Sequence, residues 1–182
     1  MTLRAFLREA TRADHERVDA AYGAYDLACP NGYASFLRAH HAALSGLPPL
    51  APLGLPRVDQ RALLEADLRG LGRALPPPAP RLLLSCEAER LGAYYVLVGS
   101  RLGARVLADQ LAATRAPHAA HARYLTSRDA EAAWRALRGV LSGPDPFADT
   151  GAEPPGRTPI LRGARAAFAH FESAARADEI AA

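Results

Sequence analysis

Apolar residues recur along most of this chain at intervals of three and four, which is the period of an amphipathic helix. Residues 2–22 form the first such segment, and the hydroxyl of Thr2 is placed to cap its first turn. The same spacing predicts further helices over residues 31–47, 58–75, 86–113, 127–141 and 160–175. No stretch keeps the two-residue period of a strand for long enough to form one. The pattern predicts an all-α fold of six or seven helices.

Proline and glycine mark the connections between these helices, because proline cannot continue a helix. They are concentrated in residues 46–56, 76–80 and 143–159. The length of 182 residues fits one domain, and no apolar run reaches the ~18 residues needed to cross a bilayer. Charges are mixed through the first twenty residues, unlike a signal peptide. We therefore expect a single domain over residues 1–182, a cytoplasmic location and no membrane association.

The charged residues narrow the choice of partners. All 22 basic residues are arginines, against 19 acidic residues, which gives a net charge of +3. The arginines are scattered along predicted helix surfaces, whereas a nucleic-acid interface needs a basic cluster with interleaved aromatic residues. We therefore expect no nucleic-acid partner. Cys29 and Cys86 are far apart, match no metal-binding spacing and are expected to be free thiols in or near the core.

Two glycines, Gly99 and Gly103, interrupt the predicted helix over residues 86–113. Each costs the helix roughly 0.5–1 kcal/mol relative to alanine. Four residues apart, they lie on nearly the same face and expose a strip of backbone there. Such a strip lets the helix bend and lets a flat partner approach the main chain closely. That partner is either another helix or a planar ligand.

His15 lies on or beside the apolar face of the first predicted helix, with Asp14 turned toward the polar side. Arg8 and Arg12 flank the same edge as His15. An imidazole beside guanidinium groups suits an anionic ligand with a metal centre, and a core-edge histidine among surface arginines is the alternative. Haem suits this combination, because its iron takes an imidazole nitrogen and its propionates pair with arginines.

Four further histidines of the sequence are candidates for the site. The adjacent His40 and His41 cannot both face one way, so one is expected to point inward and the other to solvent. His118 and His121 have a spacing that could hold a metal, yet no third ligand accompanies them. Surface or helix-terminal positions are therefore favoured for this second pair.

The sequence resembles the haem oxygenase family in two segments. Residues 7–15, LREATRADH, are similar to the family's N-terminal segment, which ends in the proximal haem histidine. Residues 95–103, YVLVGSRLG, are similar to the distal-helix motif of bacterial members. The resemblance implies an all-α, haem oxygenase-like multi-helical bundle with a kinked distal helix. It also implies an enzyme that cleaves haem oxidatively to biliverdin, ferrous iron and carbon monoxide.

The resemblance further implies a role for each matching residue. His15 would be the iron ligand, and Gly99, Ser100 and Gly103 would form the distal wall at which the reaction occurs. The other haem contacts would be Arg8, Arg12, Tyr94 and Arg135 near the propionates and Phe168 in the pocket wall. Haem would be substrate and cofactor, and dioxygen the co-substrate. Electrons would come from a ferredoxin or reductase, and bacterial phytochromes receive biliverdin from some members.

Three positions depart from the family's pattern. Ser100 stands where mammalian relatives carry an aspartate that holds a distal water network, Val98 where bacterial members frequently carry a glutamate, and Ala104 where others have a third glycine. One alternative is therefore a non-catalytic carrier or sensor of haem or biliverdin. Another is a helical scaffold in which Gly99 and Gly103 allow close helix packing. His41 belongs either near the distal network or in the core.

Overall fold

Helices account for the regular secondary structure in the computed structural model, which describes residues 1–147 and 157–181, with side chains up to residue 177. The α-helices in these ranges are α1 (Leu3–Ala10), α2 (Arg12–Gly23), α3 (Pro30–Gly46), α4 (Arg61–Gly70), α5 (Glu87–Gly99), α6 (Arg101–Ala113), α7 (Arg123–Thr126), α8 (Glu131–Ser142) and α9 (Arg157–Ala181). Short 3₁₀ turns cover Pro52–Gly54 and Pro117–Ala120. The all-α prediction is confirmed. Within the described residues, no helix has the length and apolar character needed to span a membrane.

The first predicted helix is divided at Thr11 into α1 and α2. The predicted cap is present, since the Thr2 hydroxyl accepts from the Ala5 N–H at 3.2 Å. Thr11 has φ −112° and ψ 11°, outside the helical region, and its hydroxyl donates to the Leu7 carbonyl at 2.8 Å. The break lets α1 pack against α8 while α2 packs against α9.

The long central helix is interrupted at Ser100, directly after Gly99, where the glycines predicted a bend. Ser100 keeps helical dihedral angles of −57° and −25°, and its N–H donates to the Val96 carbonyl at 3.0 Å. The backbone therefore stays helical at Ser100, although the regular helix is divided there into α5 and α6.

Close helix packing in this fold is achieved by a different pair of glycines, at the crossing of α5 and α9. A Cβ at Gly92 would lie 1.9 Å from the Ile160 carbonyl oxygen, and one at Gly163 would lie 2.0 Å from the Glu89 carbonyl oxygen. Both distances are far inside van der Waals contact, so the two backbones can meet only because these positions lack side chains. The scaffold role considered for Gly99 and Gly103 thus falls to Gly92 and Gly163.

The hydrophobic core lies between α3, α4, α5, α8 and α9. Its fully buried side chains include Leu37, Leu64, Leu91, Leu137 and Ile160. Burial of each such side chain contributes roughly 1.5–3 kcal/mol. By contrast, α2 has no fully buried residue. This helix can therefore form the wall of a cavity.

Several helix ends differ from the predicted ones because local chain geometry stops the helix early. The predicted helix over 58–75 ends at Gly70, where Gly72 adopts φ +66° and the Arg73 N–H donates to the Leu68 carbonyl in a Schellman motif. Leu75 is consequently 49% exposed and outside the core. The predicted helix over 127–141 likewise begins later, at Glu131 of α8.

Two predictions about side-chain placement were wrong. Cys29 and Cys86 are free thiols, as expected, but both are exposed, because they lie at the N-terminal ends of α3 and α5. The Asp14 side chain faces α9 instead of solvent, since Arg17 at 2.6 Å and Arg165 at 3.5 Å both pair with it.

Candidate functional site

A cavity of about 390 Å³ lies among α2, α3, the α5–α6 junction, α7, α8 and α9. This volume falls within the range of small-molecule sites. Aromatic rings form much of the wall, contributed by Tyr22, Phe36, Tyr95, Tyr124, Trp134 and Phe168. The lining residues Arg8, His15 and Gly103 are exposed, so they lie at the mouth. The cavity is thus apolar inside and polar at its rim.

His15 lines this cavity from α2, and its side chain is 59% exposed. Its Nδ1 lies 2.8 Å from Oδ2 of Asp19, one helical turn later. Because a carboxylate only accepts, Nδ1 is the donor, and in the neutral imidazole Nε2 is then the nitrogen with the lone pair. A carboxylate in this position orients an imidazole for a metal. Phe168 packs edge-on against the His15 ring, with the ring centroids 5.8 Å apart.

Gly99 and Gly103 line the same cavity from the central helix, on either side of its division at Ser100. A Cβ at Gly103 would meet no atom within 4 Å, and one at Gly99 would meet only Cζ3 of Trp134 at 3.9 Å. The space beside both glycines is therefore open, which favours a ligand over a packed helix. Ser100 also lines the cavity, and its hydroxyl donates to the Leu97 carbonyl at 2.9 Å.

His40 is the second histidine of the cavity wall, which the sequence pattern did not single out. Its Nδ1–H donates to the Phe36 carbonyl at 3.0 Å, and its ring lies 4.1 Å from that of Tyr22. Burial, and secondarily the positive charge of Arg101, lowers the pKa of His40 to about 3. The imidazole is therefore neutral, with Nε2 as a hydrogen-bond acceptor.

His41 lies away from this cavity, so it is the core histidine of the pair. It is 6% exposed, and its Nε2 lies 3.5 Å from Oε1 of Glu65. The expectation that one of the two histidines faces solvent was wrong, because His40 faces the cavity and His41 the core.

Only part of the predicted basic set reaches the cavity. Arg8 lines the cavity and lies close to Tyr95. Burial raises the pKa of Tyr95, and the positive charge of Arg8 acts in the opposite direction and lowers it. Arg12 instead pairs with Glu9 at 3.1 Å on the outer surface. Arg135 is exposed on α8 and is not among the lining residues, although its neighbour Trp134 is.

Tyr94 does not lie in the cavity, contrary to the prediction. It is fully buried, and its hydroxyl donates to the Pro56 carbonyl at 2.5 Å, while burial raises its pKa to about 12. Tyr95 lines the cavity instead. Adjacent helical residues point about 100° apart, so only one of the two can share the face of Gly99. Tyr95 precedes Gly99 by four residues, about one helical turn, and this spacing in the sequence indicates that Tyr95 shares the face of Gly99.

The remaining sequence candidates lie outside the cavity. Val98 is fully buried and is not among the residues that line it. His118 is buried, with Nε2 at 3.0 Å from the Leu27 carbonyl oxygen, which accounts for its placement without a metal. Among the described residues, no three histidine, cysteine or acidic side chains are grouped closely enough to hold a metal ion.

The fold and the cavity define an all-helical protein that can hold a flat ligand between a histidine and a glycine-lined stretch of the central helix. The heme oxygenase of Xanthomonas campestris pv. campestris (strain 8004) is 37% identical over 160 residues, covering 80% of this chain and 90% of that protein. The NO- and CO-bound heme oxygenase from Neisseria meningitidis has a similar fold, with a TM-score of 0.72 at 20% identity over 98% of this chain and 92% of that one. No family model matches the sequence. The chain belongs to the haem oxygenase family.

Proposed function

We propose that this protein is a haem oxygenase that uses dioxygen and external electrons to cleave haem to biliverdin, ferrous iron and carbon monoxide. The observation that carries the proposal is one cavity lined both by His15, with a free Nε2, and by the bare backbone of Gly99 and Gly103. Family membership supports the same conclusion. The whole chain, residues 1–182, would act as one domain.

The residues present fit haem in three respects. The aromatic rings of the wall match a flat apolar macrocycle, and Nε2 of His15 is available to its iron. The guanidinium of Arg8 at the mouth and the hydroxyl of Tyr95 in the wall are the donors that a propionate needs. Bound haem would supply the iron at which dioxygen is activated.

The side of the cavity formed by the central helix would keep space for dioxygen and hold a proton source. Gly99 and Gly103 would leave the space, because any side chain there would project into it. The Ser100 hydroxyl already donates to Leu97, so it would serve as an acceptor. Neutral His40 would likewise accept at Nε2, for example from a water molecule in the cavity. Together these groups would hold water in place of the aspartate that Ser100 replaces.

Arg12 and Arg135 would bind a propionate only after leaving the positions they occupy. The Arg12 ion pair with Glu9 is exposed on both sides, and such pairs contribute only about 0–1 kcal/mol. Release of Arg12 toward the ligand would therefore cost little. Phe168 would pack against the ligand beside His15. Tyr94 has no part in this arrangement.

We further propose a ferredoxin or a flavoprotein reductase as the electron donor, a cytoplasmic location and a bacterial phytochrome as the acceptor of biliverdin. The requirement for an external donor follows from the family's chemistry, and the sequence carries no flavin or nicotinamide motif to replace it.

The test is a haemin titration followed by reduction in air. Binding through His15 should give a histidine-ligated Soret spectrum, which should decay to a biliverdin band when ferredoxin and its reductase are supplied. His15→Ala is the matched control: it should lose the ligated spectrum and regain it with added imidazole. A stable haem spectrum under reduction would identify a non-catalytic carrier instead, and no spectral change on adding haemin would refute haem binding.

A further inference from the structure

Asp67 is a charged group that the proposed function does not use. It lies on α4, is 0% exposed, and has no cationic partner among the described residues. Its two oxygens accept the backbone N–H groups of Arg123 at 3.1 Å and Tyr124 at 2.8 Å. A buried carboxylate is costly unless hydrogen bonds replace its hydration. Here that compensation comes from the first residues of α7.

Arg101 holds the same short helix from the opposite direction. It is the first residue of α6, directly after the division of the central helix at Ser100, and its Nη2 donates to the Tyr124 carbonyl. The guanidinium carbon lies 4.3 Å from the centre of the Tyr124 ring. Nε of Arg101 is buried without a hydrogen-bond partner. The guanidinium thus lies over the face of the ring.

Tyr124 is the residue on which these two contacts converge. It is 3% exposed and lines the cavity, with its ring centroid 5.3 Å from that of His40. A helix of four residues has no stability of its own, because it is too short to offset the cost of nucleation. The position of the Tyr124 ring therefore depends on contacts from outside α7.

We propose that Asp67 and Arg101 are positioning residues that hold the backbone of Tyr124 between them, fixing this wall of the haem cavity to the α5–α6 junction of the central helix. The carboxylate of Asp67 accepts a hydrogen bond from the N–H of Tyr124, and the guanidinium of Arg101 donates one to its C=O. The two contacts hold opposite sides of the residue, so neither alone fixes the position of the ring. This proposal rests on the proposed function for one point only, the identity of haem as the ligand that contacts this wall.

A double-variant cycle tests this coupling through haem affinity. Asp67→Asn presents an amide NH₂ to one of the two N–H donors, and Arg101→Met removes the bond to the carbonyl while keeping an apolar stem. Each single variant should weaken haem binding on the order of 10-fold, as loss of an orienting partner does. Because both act on Tyr124, the double variant should be little weaker than either one. Additive losses, or no losses, would overturn the proposal.

Arg105→Met is the matched control, since Arg105 is the next arginine along α6 and makes no hydrogen bond to α7. It should keep wild-type affinity, and an equal loss there would assign the effect to net charge instead. Carbon monoxide bound to the reduced haem complex gives a second readout. Because Arg101 itself lines the cavity and Asp67 does not, the stretching frequency of the bound carbon monoxide should be compared in Asp67→Asn, where it should shift and broaden, and in Arg105→Met, where it should keep the wild-type value. An unchanged frequency in Asp67→Asn would overturn the proposal. Where that variant does not fold, an unchanged frequency in Arg101→Met would overturn it equally.

Hydrogen exchange in the haem-free protein separates this proposal from the proposed function. The amides of Arg123 and Tyr124 should exchange faster in Asp67→Asn than in the wild type, because they lose the carboxylate acceptor. If Asp67→Asn exchanges faster but the wild type does not bind haemin, the restraint on Tyr124 is supported and the haem function is refuted. Unchanged exchange at both amides would refute the restraint itself.

Discussion

Acidification should destabilise the haem-free protein through His40. Burial lowers the pKa of this imidazole from 6.5 to about 3 in the folded protein. As the pH falls, the unfolded chain therefore takes up the proton first, and unfolding becomes more favourable. The stability contributed by neutral His40 is complete above about pH 6.5 and is lost progressively as the pH falls from there toward the folded-state pKa.

The size of the effect follows from the same two pKa values. One pKa unit corresponds to about 1.4 kcal/mol, so acidification from about pH 7.5 to about pH 5 removes about 2 kcal/mol of stability at this site. His40 borders the cavity and retains some solvent contact, which makes this an upper value. For a chain of this length, 2 kcal/mol lowers the melting temperature by about 4–8 °C.

Urea unfolding of the wild type and of His40→Gln at both pH values isolates this contribution. Glutamine does not titrate, while every other ionisable group is shared by the two proteins. The stability advantage of the wild type over the variant should therefore shrink by about 2 kcal/mol at the lower pH. An advantage that is equal at both pH values would refute the conclusion that His40 is held neutral by burial.

Three further substitutions test the glycines and the proposed iron ligand. Gly92→Ala should destabilise the protein by about 1–3 kcal/mol in urea unfolding, because its Cβ would lie 1.9 Å from the Ile160 carbonyl oxygen and force α5 and α9 apart. Gly103→Ala should instead stabilise the haem-free protein by up to about 1 kcal/mol, since its Cβ meets nothing within 4 Å, yet weaken haemin binding. Asp19→Asn should weaken iron coordination by about 2- to 5-fold in a haemin titration, because the His15 ring loses its charged acceptor from a pair that is exposed on both sides. Unchanged unfolding of Gly92→Ala, or unchanged haemin binding by the other two variants, would contradict these assignments.

Local patterns predicted most of the helices because each helix buries one face and keeps its period whatever lies opposite. The patterns predicted the helix ends less well, because a single residue can end or divide a helix. Gly72 stops α4 by adopting a positive φ, and Thr11 divides the first helix with a hydroxyl bond to Leu7. Both residues are visible in the sequence, but their effects compete with a continuing apolar pattern.

The site was harder to predict than the helices because it joins residues that are distant along the chain. Tyr94 and Tyr95 are both apolar and adjacent, so the pattern could not tell which one faces the core and which the cavity. His40 and His41 presented the same ambiguity. Asp67 and Tyr124 come together only because α4 packs beside α7, and no local signal in either segment reports that contact.

By itself, the sequence determined that this protein is helical, that its central helix is interrupted next to Gly99, and that His15 lies on the inner edge of the first helix. These features depend on the spacing of residues along one segment. Only the tertiary structure decided that the backbone strip beside Gly99 and Gly103 faces a cavity, while Gly92 and Gly163 carry the close packing. A glycine favours close approach from any partner, so the identity of that partner depends on how the helices are arranged in space.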